Sequence, residues 1–491
     1  MVRLRFIASV ALTGILSLMT LGTSSDQLLA DAASQGQWAA PYEIGAVPIH
    51  AILTHNDEIL TFEYPEGPAN TDLTSRVVTV NWRTHNVTNA AASYDRDFFC
   101  AGHVVLGDGR VWVVGGHDHT TGKKQDGVGV ATTDLWDPIQ RTWTPTAPLG
   151  QKRWYPTTVG LSNGTTALTF GGQERRGSNA TTVDRYDATT NTMQRLPNSA
   201  SLSVGSYPWM HYALGSVYKV GSKTIRFDPS TNAWSAVAST KFGVRARGAS
   251  VLLPIRGDGA GPTRILTTGG KGAGSAVPTA TAEVIDLSSP SPTWAYTGSM
   301  NHARLLHDLR ILADGTVAAV GGGEAYKYTR PKKTLEIYDP SSGTWSNMLP
   351  QQASRMYHST SLLLPDGRLW SAGQDSGDFK TKVEVYSPPY LFRGPRPTIQ
   401  SSPQQISYNS SFSISTPDAT NISKIALVRP GSVTHQIDTD QRYVTLGFSA
   451  SDGQLAAQAP VSGTVAPPGW YMLFILNSQG VPAVANWIHL Q

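Results

Sequence analysis

An all-β fold, a seven-bladed β-propeller followed by a small immunoglobulin-like β-sandwich, is what three features of this sequence predict: a strand signal that recurs seven times, a turn-and-tryptophan signal that follows it, and a break in both near residue 400. The recurring signal is a short run rich in β-branched residues, usually ending in glycine: EILTFEY (58–64), GRVWVVGG (109–116), TTALTFGG (165–172), GSVYKVG (215–221), TRILTTGG (263–270), GTVAAVGG (315–322) and GRLWSAG (367–373). The spacing is about 50 residues. Runs of this kind, bounded by turn residues, read as strands.

Several runs are followed by a companion strand with an aspartate turn and a tryptophan: DLWDPIQRTW, IRFDPSTNAW, VIDLSSPSPTW and LEIYDPSSGTW. That pairing is the kelch pattern, one four-stranded blade per repeat. A single twisted sheet cannot bury both faces alone, whereas sheets packed radially cover each other in turn. The repeats place the propeller over residues 45–398. Beyond VEVYSPPYLFRGPRPTI the pattern stops, and alternating apolar positions with several turn signals over 399–491 read as the sandwich.

Composition narrows the function. Only 15% of the 491 residues are charged, the net charge is +4, and Gly (47) and Pro (31) are plentiful. This is a turn-rich β protein rather than a disordered chain, and with no basic run interleaved with aromatics, nucleic acid is not an expected partner. Residues 1–32 open with Met1-Val2-Arg3-Leu4-Arg5 and continue with a mostly apolar run, Phe6 to Gly22. They read as an export signal or, if uncleaved, a membrane anchor, so the body is expected to be secreted or otherwise extracytoplasmic. Cys100 is the sole cysteine, which rules out an intrachain disulfide. We expect a monomer.

Four stretches carry residues suited to chemistry. RDFFCAGHVVLGDGRVWVVGG holds Cys100, KRWYPTTVGLSNG holds Tyr155, RMYHSTSLLLPDG holds Tyr357 and His358, and RPGSVTHQIDTDQR holds His435. The first three occupy equivalent positions, several residues ahead of a repeat strand. Singly, each has an ordinary role: a lone cysteine as a small buried hydrophobe, a tyrosine as a packed ring with a bonded hydroxyl, a loop histidine in solvent. Together, two imidazoles and two phenols form a nitrogen and oxygen donor set suited to tetragonal copper.

At these residues the chain resembles the copper radical oxidases, the galactose oxidase and glyoxal oxidase family. RMYHSTSLLLPDGR is similar to that family's tandem Tyr-His copper motif, THQIDTDQR to its distal histidine loop, and PPGWYMLFILNSQGVPAVA to the end of its sandwich. The resemblance implies that Tyr155, Tyr357, His358 and His435 bind Cu(II), with Tyr357 accepting the substrate proton. It also implies that Cys100 is joined to Tyr155 by a thioether, giving a protein-derived Cys-Tyr radical cofactor. Under this reading a small alcohol, aldehyde or carbohydrate is oxidised by O2, with release of H2O2. A thiol that must be arylated is better kept out of disulfides, which suits a single cysteine.

Departures from the family shape further expectations. The tryptophan that covers the radical in galactose oxidase has no counterpart in GGQERRGS (171–178), leaving Trp209 in SYPWMHY as a candidate cover. No arginine stands near SYPWMHY to hold a sugar, so galactose itself is not the expected substrate. The short stretch between the apolar start and the first repeat leaves no room for the carbohydrate-binding module that precedes the propeller in some members. His103, His117 and His119 are read as solvated loop residues rather than a second metal site, and His307 as a neighbour of the site. Arg153 and Arg355 are read as loop braces. Rival readings are a catalytically silent propeller that binds glycan or protein at a cell surface, and a copper protein that cross-links a surface polymer. All five site residues are present, which favours the enzyme.

Overall fold

In the computed structural model, residues 31–65, 74–118 and 127–491 are described. The apolar start and His119 lie outside them. Seven antiparallel sheets succeed one another along the chain, and each recurring glycine-ended run forms the second strand of its sheet. The first sheet is built from His50–Leu53, Glu58–Phe62, Val77–Asn81 and Val87–Asn89; the second from Gly102–Val105, Val111–Val114, Thr133–Asp137 and Thr142–Pro145. The third to sixth sheets start at Thr157–Gly160, Trp209–Ala213, Ala249–Leu252 and Leu305–Ile311. These first strands lie beside one another in succession.

The second strands are apolar on both faces because a sheet packs against each. Val111, Trp112, Val113 and Val114 are all fully buried, with Trp112 stacked on Tyr186 of the third sheet. Complete burial is worth about 1.5–3 kcal/mol for each such side chain. This explains the continuous apolar runs, where a half-exposed strand would alternate.

The aspartate and tryptophan of the companion signal do separate work. Asp137 Oδ1 accepts the N–H groups of Ile139 and Gln140, both at 2.9 Å, closing an Asx turn between the third and fourth strands. Tryptophans on fourth strands reach back to the sheet before. Trp143 Nε1 donates to Ala90 O, Trp234 to Ala200 O and Trp345 to Gly298 O, at 2.7–2.8 Å. Each bond fastens neighbouring sheets together.

The seventh sheet borrows its outermost strand. Thr360–Leu363, Leu369–Ala372 and Lys382–Ser387 come from the last repeat, but the fourth position is filled by Gln37–Trp38, paired as Gln37↔Ser387 and Trp38↔Tyr386. Trp38 Nε1 donates to Leu349 O on the sixth sheet, the same service the repeat tryptophans perform. The repeat region therefore begins ahead of the expected boundary at 45, because the strand that completes the last sheet precedes the first repeat in sequence.

Residues beyond 399 form five strands of a six-stranded sheet centred on Ile422–Arg429 and Gly469–Asn477, whose sixth strand is Ile255–Arg256 of the repeat region, and a three-stranded sheet of Ser411–Ser415, Gln454–Gln458 and Phe448–Ser451. One apolar cluster, including Ile414, Leu427, Leu455 and Tyr471, joins them. A hairpin leaves this region: Ser432–Thr434 pairs with His50–Leu53 of the first sheet, and Ile437–Asp438 returns beside it. His435 sits at its tip.

Candidate metal centre

In five of the seven sheets the lead-in loop sets one left-handed residue in or beside a shared cavity. Cys100 (φ 57°), Tyr155 (φ 61°), Tyr207 (φ 41°), Arg247 (φ 59°) and His358 (φ 66°) each stand two residues ahead of a first strand and hold the left-handed conformation. His435, at the hairpin tip, shares it (φ 47°). For a residue with a Cβ this costs about 1–2 kcal/mol, so surrounding structure must enforce it. The sequence reading placed Cys100, Tyr155 and the Tyr357-His358 pair in equivalent positions; Tyr207 and Arg247 extend that set.

Two devices enforce it. A buried arginine ahead of Cys100, Tyr155, Arg247 and His358, though not of Tyr207, is tied to its own sheet: Arg153 donates to Gly171 O (2.7 Å), Thr182 O (2.6 Å) and Asp184 Oδ2 (2.8 Å). Arg96 with Asp134, Arg245 with Glu283, Arg304 with Glu336 and Arg355 with Glu384 repeat the pattern. Arg153 and Arg355 are thus loop braces, as read from sequence. The second device is the glycine pair. Gly116 N–H donates to Arg153 O in the next lead-in loop, and a Cβ on Gly115 would stand 2.4 Å from that oxygen. Only glycine allows the two backbones to touch there.

Five candidates converge. Tyr155 Oη and Tyr357 Oη are 3.0 Å apart, and Cys100 Sγ is 3.6 Å from His435 Nε2. The His358 and His435 ring centres are 4.5 Å apart, and ligand atoms of Cys100, His358 and His435 all lie within 4.8 Å of one another. The Cys100 thiol faces the Tyr155 phenol. Both imidazoles are oriented from behind. Thr434 Oγ1 donates to Ile49 O, so it accepts from His435 Nδ1–H at 2.6 Å, which leaves the Nε2 lone pair facing the centre. His358 Nδ1 lies 2.8 Å from Asp375 Oδ2, somewhat off an ideal hydrogen-bond line, and Asp375 is also bonded by Tyr328. His358 Nε2 is buried without a partner.

Burial decides the charge states. It pushes the Tyr155 and Tyr357 phenols and the Cys100 thiol well up, and pushes the His435 imidazole well down. The site by itself therefore holds neutral phenols, a neutral thiol and an imidazole lone pair. A bound cation reverses that preference by stabilising phenolate. Two imidazole nitrogens and two phenol oxygens around a partnerless Nε2 fit a copper ion, and Tyr155, Tyr357, His358 and His435 are the residues to hold it.

Several participants were not read from sequence. Trp154, adjacent in the chain, lies against Tyr155 with ring centres 4.3 Å apart at 35°. It takes the covering place for which Trp209 was the candidate; Trp209 lines the cavity wall instead. Tyr207 packs on Tyr155 (4.9 Å) and His435 (4.7 Å) and bonds Ala101 O. His103 and His117 are buried, not solvated. His103 is on the first strand of its sheet, where a side chain must face the interior. It lies 2.6 Å from Ser432 Oγ and 3.1 Å from His50 Nδ1, while His50 Nε2 accepts the Cys100 N–H at 3.2 Å. This chain of bonds satisfies the backbone of a left-handed residue. His307 is buried against Thr268 (2.8 Å) and away from the cavity lining. Among the described residues the single cluster with metal-ligand spacing is that of Cys100, His358 and His435.

Residues 60–390 match the family described as Glyoxal oxidase N-terminus, and residues 396–490 the Galactose oxidase-like, Early set domain. The chain belongs to the galactose oxidase and glyoxal oxidase family. This family member is 30% identical to a galactose oxidase of Gibberella zeae over 433 residues, 80% of this chain and 61% of that protein. It is 27% identical to an aldehyde oxidase GLOX of Vitis pseudoreticulata over 385 residues, 69% of this chain and 72% of the relative. The match to the first relative thus spans under two thirds of that protein's length. A fungal alcohol oxidase of the AA5 family, solved in complex with copper, shares the fold with a TM-score of 0.81 at 24% identity, covering 93% of this chain and 100% of that one.

Proposed function

We propose that this protein is an extracytoplasmic copper radical oxidase that converts primary alcohols or aldehydes, with O2, to aldehydes or acids and H2O2. Its seven sheets are read as the blades of a kelch-type propeller, and the two sheets beyond residue 399 as a sandwich that delivers His435 through the 432–438 hairpin. The observation that carries the reading is the convergence of Cys100, Tyr155, Tyr357, His358 and His435 from four distant segments, with the two phenol oxygens 3.0 Å apart beside a partnerless imidazole nitrogen. The apolar start supports an exported site of action.

Substrate enters a cavity of about 1040 Å³ whose floor includes Tyr155, Tyr357, His358 and His435. Tyr357 Oη stands where it can take the substrate hydroxyl proton, and the Tyr155 oxygen beside it can share that proton. Bound copper supplies one-electron exchange and acidifies a coordinated hydroxyl. Removing two electrons from an alcohol needs a second one-electron store, and a thioether-substituted Tyr155 is the ring that is easiest to oxidise. Trp154 and Tyr207 shield that ring, while Thr434 and Asp375 fix the two imidazoles.

The test is to load purified protein with Cu(II) in air and compare wild type with Cys100→Ser. Wild type should show a copper-dependent shift on denaturing gels and a visible radical absorption band, both lost in the variant. Copper binding with neither signal rules out a Cys-Tyr radical site.

A further inference from the structure

We propose that the cavity selects substrates carrying an anionic group, a carboxylate or a phosphate, remote from the carbon that is oxidised, and that Arg247 is its principal anchor. This rests on the oxidase reading above and names its substrate class.

The cavity wall carries Arg176, Lys219, Arg247 and Lys327, against one acid, Asp375. That acid is already engaged by His358 and Tyr328. None of the four cations has a carboxylate within ion-pair distance among the described residues. The contrast with the lead-in arginines is direct: Arg153, Arg245, Arg304 and Arg355 each hold an acid of their own sheet. Unpaired cations gathered on a concave wall favour an anionic occupant and speed its approach.

Arg247 is exposed on the cavity wall and held in place there. It occupies the left-handed position that presents Tyr155 and His358 to the same cavity. Its guanidinium carbon lies 3.6 Å from the centre of the Tyr326 ring, and that ring lies 5.9 Å from the Tyr357 ring. One tyrosine ring therefore separates the cation from the proposed proton acceptor. Stacking holds the guanidinium plane, while its N–H edge meets no protein acceptor among the described residues and stays open for a bidentate anion. Lys219 stands half-buried on the cavity wall, where burial of an unpaired ammonium is unfavourable and lowers its pKa. Lys327 lies at the rim over the same Tyr326 ring. An uncharged sugar would leave all of these cations unmatched.

The test compares matched pairs: gluconate with sorbitol and glucose 1-phosphate with glucose, each offering a primary alcohol. Peroxide release is measured on copper-loaded wild type, Arg247→Gln and Arg247→Lys at low and high salt. In parallel, quenching of tryptophan fluorescence, with Trp154 and Trp209 in the cavity wall, reads binding of gluconate and glucose 1-phosphate to metal-free protein. Wild type should favour the charged member of at least one pair, and that pair tells carboxylate from phosphate. The charged-to-neutral ratio of kcat/KM should fall roughly 10- to 100-fold in Arg247→Gln, recover in part in Arg247→Lys, and shrink with salt. Equal kcat/KM within both pairs in wild type, or an unchanged ratio in Arg247→Gln, overturns the proposal. If no substrate is oxidised, anion binding that Arg247→Gln abolishes upholds the anion site while the oxidase reading fails; absence of binding overturns the anion site. Should Arg247→Gln not fold, Lys327→Gln on an exposed loop reads the same ratio.

Discussion

The lead-in loops of the third and fifth sheets, Arg153-Trp154-Tyr155 and Arg245-Ala246-Arg247, share a scaffold and differ in what they deliver. In both, the first arginine is buried, bonded to an acid on the third strand and to the carbonyl of the glycine that ends the second strand. In both, the third residue is left-handed and faces the cavity. One delivers a phenol to the metal-centre cluster and the other an unpaired guanidinium to the wall. The repeat thus separates support from chemistry within three residues, and the site can vary without disturbing the sheet beneath it.

That separation can be broken at each level. The largest expected effect is on the chemistry: Tyr155→Phe should abolish both the cross-link and peroxide release while leaving the thermal unfolding midpoint near that of metal-free wild type. Next is the brace. Arg153→Ala strands Asp184, a fully buried carboxylate, and should cost about 3–5 kcal/mol in denaturant unfolding, as should Arg245→Ala through Glu283. Smaller is the orientation of the imidazoles. Asp375→Asn and Thr434→Val should each weaken Cu(II) affinity roughly 10- to 100-fold by isothermal titration, without preventing folding. The sheet-to-sheet bond of Trp345 should be worth about 1 kcal/mol when Trp345→Phe removes its donor to Gly298 O. Smallest is Arg247→Ala, whose exposed, acid-free side chain should change unfolding free energy by less than about 0.5 kcal/mol. An effect at Arg247 as large as at Arg245 would erase the distinction between the two positions.

What could be read from sequence follows the range of the interactions. The second strands were legible because burial on both faces makes them continuous apolar runs. The Asp-turn-Trp hairpins were legible because an Asx turn and its tryptophan sit within ten residues. Cys100, Tyr155, Tyr357, His358 and His435 were found by motif and resemblance, and the structure brings all five together. Gln37–Trp38 was missed as part of the last sheet because its partner, Lys382–Ser387, is the far end of the repeat region. The pairing of the 432–438 hairpin with His50–Leu53 is equally non-local. The cover of Tyr155 was sought in other segments, since nothing in RWYPTT shows that the indole of Trp154 folds back on its neighbour. Tyr207 and Arg247 were not legible, because the stretch between lead-in and glycine varies in length: Gly171 follows Tyr155 by 16 residues, Gly269 follows Arg247 by 22, and the fourth run ends in a single glycine, Gly221.

The central claim is that the Cys100 sulfur and the Tyr155 ring form one oxidisable unit at a copper site. Peptide mass spectrometry of protein held with Cu(II) in air, against protein held metal-free, tests it most directly. The account expects a peptide containing Cys100 joined to one containing Tyr155, lighter than the sum by a pair of hydrogens and resistant to reductant, in the copper sample alone. Recovery of both peptides unlinked, with Cys100 still open to alkylation after copper has bound, would contradict it.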